Sequence, residues 1–206
     1  MTLYASTSNP GKLREFLRAC DQVAAADLTI QPLPGLQDLA PPQETGETFE
    51  ENAVAKALYY SKFCDGCVFA DDSGLEISAL GGAPGVRSAR YAGENATDEE
   101  NNALVLRNLE ASSNRRARFV CVIALALRGR FLHTVRGTVE GEILTAARGA
   151  NGFGYDPLFF YPPLKRSFGQ IGADEKFAVS HRGRALRSLF EWISRSPDMQ
   201  ASRFVG

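Results

Sequence analysis

Several residues that usually announce a function are scarce in this sequence. It has two histidines, one tryptophan and four cysteines in 206 residues. Cys64 and Cys67 form a Cys-x-x-Cys pair, which in principle suits zinc or redox work. A structural zinc site needs two more ligands at comparable spacing. Cys20 and Cys121 are isolated, and His133 and His181 are distant in sequence. Cys20 and Cys121 also lie within apolar patterns, where a free thiol acts as a small core residue. All four cysteines therefore read as reduced bystanders.

Charge of either sign is not in excess. Lys plus Arg is 23 and Asp plus Glu is 24, giving a net charge of −1. Long-range attraction gives no reason to propose nucleic acid or an anionic membrane as partner. A polyanionic ligand would have to be held by local charges and a metal. Long apolar runs are missing too. The longest, Phe119–Leu127, spans nine residues, whereas a membrane-crossing helix needs about 20. Met1–Lys12 has no apolar stretch of signal-peptide length. The expectation is a soluble, cytoplasmic protein. Without repeats, low-complexity tracts or linkers, residues 1–206 read as one domain or two small lobes sharing a core. Apolar residues make up 44%, enough for a sizeable core.

What is present is an alternation of helix and strand patterns. Leu3–Thr7 reads as a strand and Lys12–Cys20 as a helix, with Leu13, Phe16, Leu17 and Cys20 at helical spacing. Gln31–Pro42 reads as a connecting loop. Thr48-Phe49-Glu50-Glu51 is a capping box opening a helix to about Cys64, and Thr97-Asp98-Glu99-Glu100 repeats it for a helix to about Glu110. Cys67–Ala70 reads as a short buried strand ending at Asp71-Asp72-Ser73-Gly74. Phe119–Leu127 and Phe131–Ile143 read as a strand pair with a turn at Gly129. Asn151–Pro157 is a Gly-rich loop. Ser180 caps a last helix with Ala185, Leu186, Leu189, Phe190 and Ile193 on its apolar face. The mixture argues for an α/β fold with a mixed sheet.

Five places carry chemistry. Thr7-Ser8-Asn9-Pro10-Gly11-Lys12 joins a strand to a helix, offering amides, hydroxyls and an ammonium as a phosphate cradle. It lacks Walker spacing, and a simple capped helix start is the other reading. In the helix from Thr48, Lys56 falls at the centre of the apolar face made by Phe49, Ala53, Ala57 and Tyr60, with Asn52 on its edge. Either its head escapes to water along a packed stem, or it is paired or ligand-bound. Asp71-Asp72, after an apolar strand, can hold Mg²⁺ or activate a water, or can be an Asp-rich turn. Phe153-Gly154-Tyr155-Asp156-Pro157 offers rings for stacking and amides to read a base edge, or is a buried Gly/Pro loop. His181 and Arg182 sit in a helix first turn, where cations oppose the dipole. That conflict hints at a ligand, a surface Arg being the default.

Taken together and in order, these pieces resemble the inosine triphosphate pyrophosphatase family. They are Ser6–Lys12, Thr45-Gly46 with Thr48–Ala53, Phe69–Leu75, Gly81–Val86 with Ser88–Tyr91, Gly152–Pro157 and Ser180–Gly183. They cover nearly the whole chain. The resemblance implies an elongated mixed β-sheet with flanking helices and two lobes around a central cleft, usually as a homodimer. It implies hydrolysis of inosine, deoxyinosine and xanthosine triphosphates to monophosphate and pyrophosphate, which keeps these nucleotides out of nucleic acid. Mg²⁺ is the implied cofactor. Asp72 would be catalytic base and metal ligand, acting with Lys12 and Lys56. Thr7, Ser8, Asn9, Asn52, Ser73 and Arg90 would bind substrate. Phe153, Gly154, Tyr155, Asp156, Lys176, His181 and Arg182 would form the base pocket and its surroundings. One position departs from the family pattern. Gln43 stands where a second acidic metal ligand is common, so either the neighbouring Glu44 or the Gln43 carbonyl takes over, or fewer protein groups hold the metal.

Base selectivity then has a physical account. Hypoxanthine and xanthine carry an acceptor at position 6 where adenine carries a donor. A pocket of donors such as backbone amides near Gly154, with Lys176 or Arg182, would reject adenine. The alternatives are a triphosphate pyrophosphatase of other base preference, a non-catalytic nucleotide-binding regulator, and a zinc or redox protein using Cys64 and Cys67.

Overall fold

A computed structural model describes residues 1–22, 28–197 and 199, without the side chains of 20–22. Cys20 is therefore outside the described side chains, and Cys64, Cys67 and Cys121 are free thiols. Among the described residues seven strands form one mixed sheet in the order β2-β1-β3-β4-β5-β6-β7. They are β1 Thr2–Ala5, β2 Thr29–Pro32, β3 Cys67–Ile77, β4 Arg116–Leu127, β5 Arg130–Ile143, β6 Phe159–Tyr161 and β7 Arg166–Ser167. The helices are α1 Pro10–Gln22, α2 Phe49–Tyr60, α3 Asp98–Asn108, α4 Ala173–Val179 and α5 His181–Arg195. β1 runs parallel to β2 and β3, whereas β5, β6 and β7 pair antiparallel. Among the described residues no helix is long and apolar enough to cross a membrane.

The chain divides into two compact units. The first holds Met1–Asp72, Cys121–Gly137 and the chain from Arg182; the second holds Ser73–Val120 and Thr138–His181. In the first unit the pleat of β3 sorts its residues between two layers, because successive strand side chains point to opposite faces. Phe69 meets Phe16 of α1 edge-on at 5.0 Å. Val68 packs with Leu33 and with Tyr60 of α2. α1 and α2 thus cover opposite sides of the same strand. Burial of both faces explains why β3 begins as a continuous apolar run rather than an alternating one. In the second unit one core joins Leu75 and Ile77 of β3, Val105 and Leu109 of α3, Phe119 of β4, Ile143 of β5, and Tyr155, Phe159 and Phe168.

Both capping boxes form. Thr48 Oγ1 accepts from Glu51 N and Thr97 Oγ1 from Glu100 N, with each Glu returning to its cap amide. The predicted apolar face of α5 is buried throughout, from Ala185 to Ile193. The β4–β5 turn falls at Arg128-Gly129, both in the left-handed region at φ 50° and 77°, the twist that a two-residue hairpin favours.

Beyond shifts of two or three residues at other element ends, such as β1 stopping at Ala5 and β4 starting at Arg116, three boundaries differ from the sequence expectation. Gln31 and Pro32 are the end of β2, not loop; Pro32 lies last in a strand at the sheet edge, where a missing N–H does least harm. The helix from Thr48 stops at Tyr60 and tightens into a 3-10 turn over Ser61–Phe63. Most consequentially, β3 does not end at Ala70. It continues to Ile77, so Asp71 and Asp72 are strand residues rather than a turn.

Candidate active site

β1 supplies the starting point. Its partnership with β3 ends at the pair Ala5–Phe69, and Ser6 closes it by donating from both N and Oγ to the Phe69 carbonyl. Beyond that point β3 continues alone on this side, which places Asp71 and Asp72 just past the carboxyl end of β1, beside the strand-to-helix loop. Asn9 caps α1: its Oδ1 accepts from Lys12 N at 3.0 Å, and its own N is held by Thr7 Oγ1 at 3.2 Å. The capped-helix reading of this loop is therefore realised, and it fixes where Lys12 emerges.

The two adjacent carboxylates of β3, Asp71 and Asp72, divide between the layers, as the pleat requires. Asp71 follows Phe69 toward α1 and α5. Its Oδ2 lies 3.0 Å from Lys12 Nζ and 3.7 Å from Arg182 Nη2. Arg182 also forms an ion pair with Glu15. Burial alone would push the Asp71 carboxyl up, but Lys12, Arg182 and Lys56 outweigh it and hold the group down at about 2. Arg182 is 2% exposed, so the surface-Arg expectation is corrected. Its opposition to the helix dipole is tolerated because two carboxylates neutralise it.

Asp72 follows Val68 toward α2. Its Oδ1 is 3.2 Å from Lys56 Nζ and its Oδ2 accepts from Asn52 Nδ2 at 3.1 Å. Lys56 Nζ also donates to Glu44 Oε1 at 2.8 Å. The head of Lys56 does not escape to water: it is the ammonium between two carboxylates. Burial would lower its pKa, and Asp72, Asp71 and Glu44 together raise it instead. The Asp72 carboxyl is pushed up, first by burial, against the pull of Lys56 and Lys12. Asn52 completes the arrangement. Its Oδ1 accepts from Gly46 N at 2.9 Å while its Nδ2 serves Asp72, tying the 44–46 loop to the strand. A Cβ on Gly46 would lie 2.7 Å from Asn52 Oδ1, so only glycine permits this approach. The loop delivers Glu44 to the site and leaves Gln43 exposed.

In the second unit, Asp156 organises the Gly-rich loop. Its Oδ2 accepts from Phe153 N at 2.8 Å and forms a buried ion pair with Lys176. Lys176 Nζ also sits 4.8 Å from the centre of the Phe153 ring, a cation–π contact. A Cβ on Gly152, at φ +80°, would collide with the Asp156 carboxylate. Tyr155 belongs to the core: it is 5% exposed and its hydroxyl donates to Ser88 O at 2.7 Å. Backbone amides near Gly154 are the expected base donors; that of Gly154 itself donates to Asp98 Oδ2 at 2.6 Å. His181 stacks on Phe119 at 4.7 Å. Ser73 follows Asp72 within β3 and is partly buried. Arg90, in a 3-10 turn over Gly85–Arg90, pairs with Glu94 at 3.9 Å. Sequence reasoning missed Glu15, Asp98 and Asn102. Glu15 and Arg182 are 167 residues apart, and nothing local marks them as partners. Asp98 was visible only as a capping-box neighbour.

The site is thus two adjacent buried carboxylates among two lysines and an arginine, borne on an open mixed α/β sheet. The chain belongs to the Ham1 family, whose sequence model matches residues 3–192. It is 48% identical over 189 residues to a dITP/XTP pyrophosphatase of Exiguobacterium, covering 92% of this chain and 95% of that one. It is 44% identical over 199 residues to a dITP/XTP pyrophosphatase of Thermus thermophilus, covering 96% and 94%. Among solved structures, a HAM1 protein from Coxiella burnetii superposes with a TM-score of 0.83 at 40% identity, covering 95% of this chain and all of that one.

Proposed function

We propose that this chain is a nucleoside triphosphate pyrophosphatase that hydrolyses deoxyinosine, inosine and xanthosine triphosphates to the monophosphate and pyrophosphate, with Asp72 as its base. The observation that carries the reading is the buried Asp72 carboxylate, fixed by Lys56 on one oxygen and Asn52 on the other. A carboxylate held at both oxygens cannot wander, and a pKa raised by burial makes it a better proton acceptor than a solvated one. Its role is to orient and deprotonate the water that attacks the α-phosphorus. Lys12 and Lys56 hold the polyphosphate and stabilise charge gathering on the leaving pyrophosphate. Thr7, Ser8 and Asn9 present hydroxyls and the start of α1 to the same end of the nucleotide.

The donor set fits a divalent cation. Beside Lys12, Lys56 and Arg182 stand the carboxylates of Glu15, Glu44, Asp71 and Asp72, and Glu44 and Asp72 converge on one ammonium. Magnesium takes one or two carboxylates and fills the rest of its shell with phosphate oxygens and water. Asp72 and Glu44 would hold it. When bound, Mg²⁺ neutralises phosphate charge. Phe153, Asp156 and Lys176, with His181 and Arg182, serve the purine; a buried lysine beside an aromatic ring suits a 6-oxo group and disfavours a 6-amino group. We further propose a cytoplasmic homodimer.

The test is pyrophosphate release from inosine, xanthosine, adenosine and guanosine triphosphates, with and without Mg²⁺. Release from the first two that needs Mg²⁺ is expected, and Asp72→Asn should lower turnover by about 10²–10⁴-fold with the fold intact. Nucleotide binding without pyrophosphate release would reduce the protein to a regulator.

A further inference from the structure

The Gly-rich loop is not held by its own residues alone. Asp98 and Asn102 lie four apart on α3 and so share one side of that helix. Both reach Gly154. Asp98 Oδ2 accepts from its N–H at 2.6 Å, and Asn102 Nδ2 donates to its carbonyl at 3.0 Å. One helix thus grips both backbone polar groups of a single loop residue, which stands in the left-handed region at φ +61°. On one side of Gly154 the Phe153 amide is fixed by Asp156; on the other the Tyr155 hydroxyl is fixed by Ser88. Asn102 Oδ1, by contrast, is buried with no hydrogen-bond partner among the described residues. A buried acceptor without a donor costs stability, so the amide is not placed there for stability alone.

We propose that Asp98 and Asn102 are positioning residues for purine recognition: by clamping Gly154 to α3 they set the height and tilt of the Phe153 ring beside Lys176. The clamp rests on the reading that this loop receives the base. It also explains why the Gly154 amide, already engaged, leaves discrimination to the shape of the loop and to Lys176. The clamp touches no phosphate-end residue, so its loss acts on base affinity and selectivity rather than on the chemical step.

The experiment compares Asp98→Ala, Asp98→Asn, Asn102→Ala and Asn102→Asp with the parent enzyme on inosine and adenosine triphosphates, with inorganic tripolyphosphate as a competitive inhibitor that reports the phosphate end only. Loss of one hydrogen bond in the clamp should raise KM for inosine triphosphate about three- to tenfold, while kcat changes by less than about twofold. The preference over adenosine triphosphate should shrink by a similar factor. Asp98→Asn, which keeps an acceptor, should rescue; Asn102→Asp, which loses the donor, should behave like Asn102→Ala and carries the test if Asp98→Ala melts early. An unchanged KM and preference in folded Asn102→Ala overturns the clamp. So does a rise in the tripolyphosphate inhibition constant parallel to KM, which would mark a general loosening. If the parent enzyme releases no pyrophosphate from inosine triphosphate, the base-site reading falls first and the clamp with it.

Discussion

Arg182 shows what a single residue can hold together. It joins α5 to both Glu15 of α1 and Asp71 of β3. Breaking a buried pair by removing one partner leaves uncompensated charge and costs about 3–5 kcal/mol. Arg182→Met should lower stability by that amount in a denaturant titration; a loss under about 1 kcal/mol would place the pair with ordinary surface bridges. Asp71 gives the matching pH dependence. Its carboxyl is held at about 2, below its ordinary 3.8, so the folded state binds its proton less readily than the unfolded chain. The resulting stabilisation is complete above the unfolded value and disappears as pH falls through the folded one. Melting temperature should therefore drop between about pH 4 and pH 2, and Asp71→Asn should flatten that slope while lowering stability near neutrality. An unaltered acid slope would show that other carboxylates set it.

Elements explain which of these relations could be foreseen. Lys56 was legible as an anomaly because helical periodicity is strict: a charge inside the stripe Phe49, Ala53, Ala57 and Tyr60 has to be explained. Its partners were not legible, since Glu44 arrives on a loop and Asp72 on a strand. The capping boxes and the apolar face of α5 could be read for the same reason, each being local. Strand ends are different. Asp is a poor strand former in isolation, and its turn chemistry suggested that β3 stops at Ala70. Tertiary ion pairs with Lys12 and Lys56 override that preference. Further along, Gly74 is required by a contact no local pattern displays: a Cβ there would lie 2.3 Å from Ser88 Oγ and 2.5 Å from Gly85 O. Ser88 cannot easily withdraw, because its Oγ accepts from Leu75 N and donates to the Gly85 carbonyl. Gly74→Ala should cost about 1–3 kcal/mol through overpacking, seen as a melting temperature lowered by several degrees; an unshifted melt would mean this corner of the core has slack.

On the scale of the whole molecule, six ordered motifs fixed the family and the sheet class long before any contact was visible, because motif order survives where individual residues are ambiguous. The ion-pair arrangement did not emerge that way, since pairs such as Glu15–Arg182 depend on the completed fold. Ligand linkage provides the global test. A compound that binds only the folded state stabilises by mass action, about 2.7 kcal/mol at a hundredfold excess over its Kd. Inosine monophosphate with pyrophosphate and Mg²⁺ should raise the melting temperature, and EDTA should remove most of the shift. Equal shifts with adenosine monophosphate would argue against base selectivity.

The alternation of β3 makes its paired-aspartate segment intolerant of a particular kind of change. Deleting or inserting one residue between Cys67 and Asp71 would rotate the carboxylates by half a pleat, turning one acid toward the lysine meant for the other and driving Phe69 against α2. A frame of two is the smallest length change that returns each side chain to its own layer. Length variation in relatives that keep this chemistry should accordingly collect in the loops and spare this short segment.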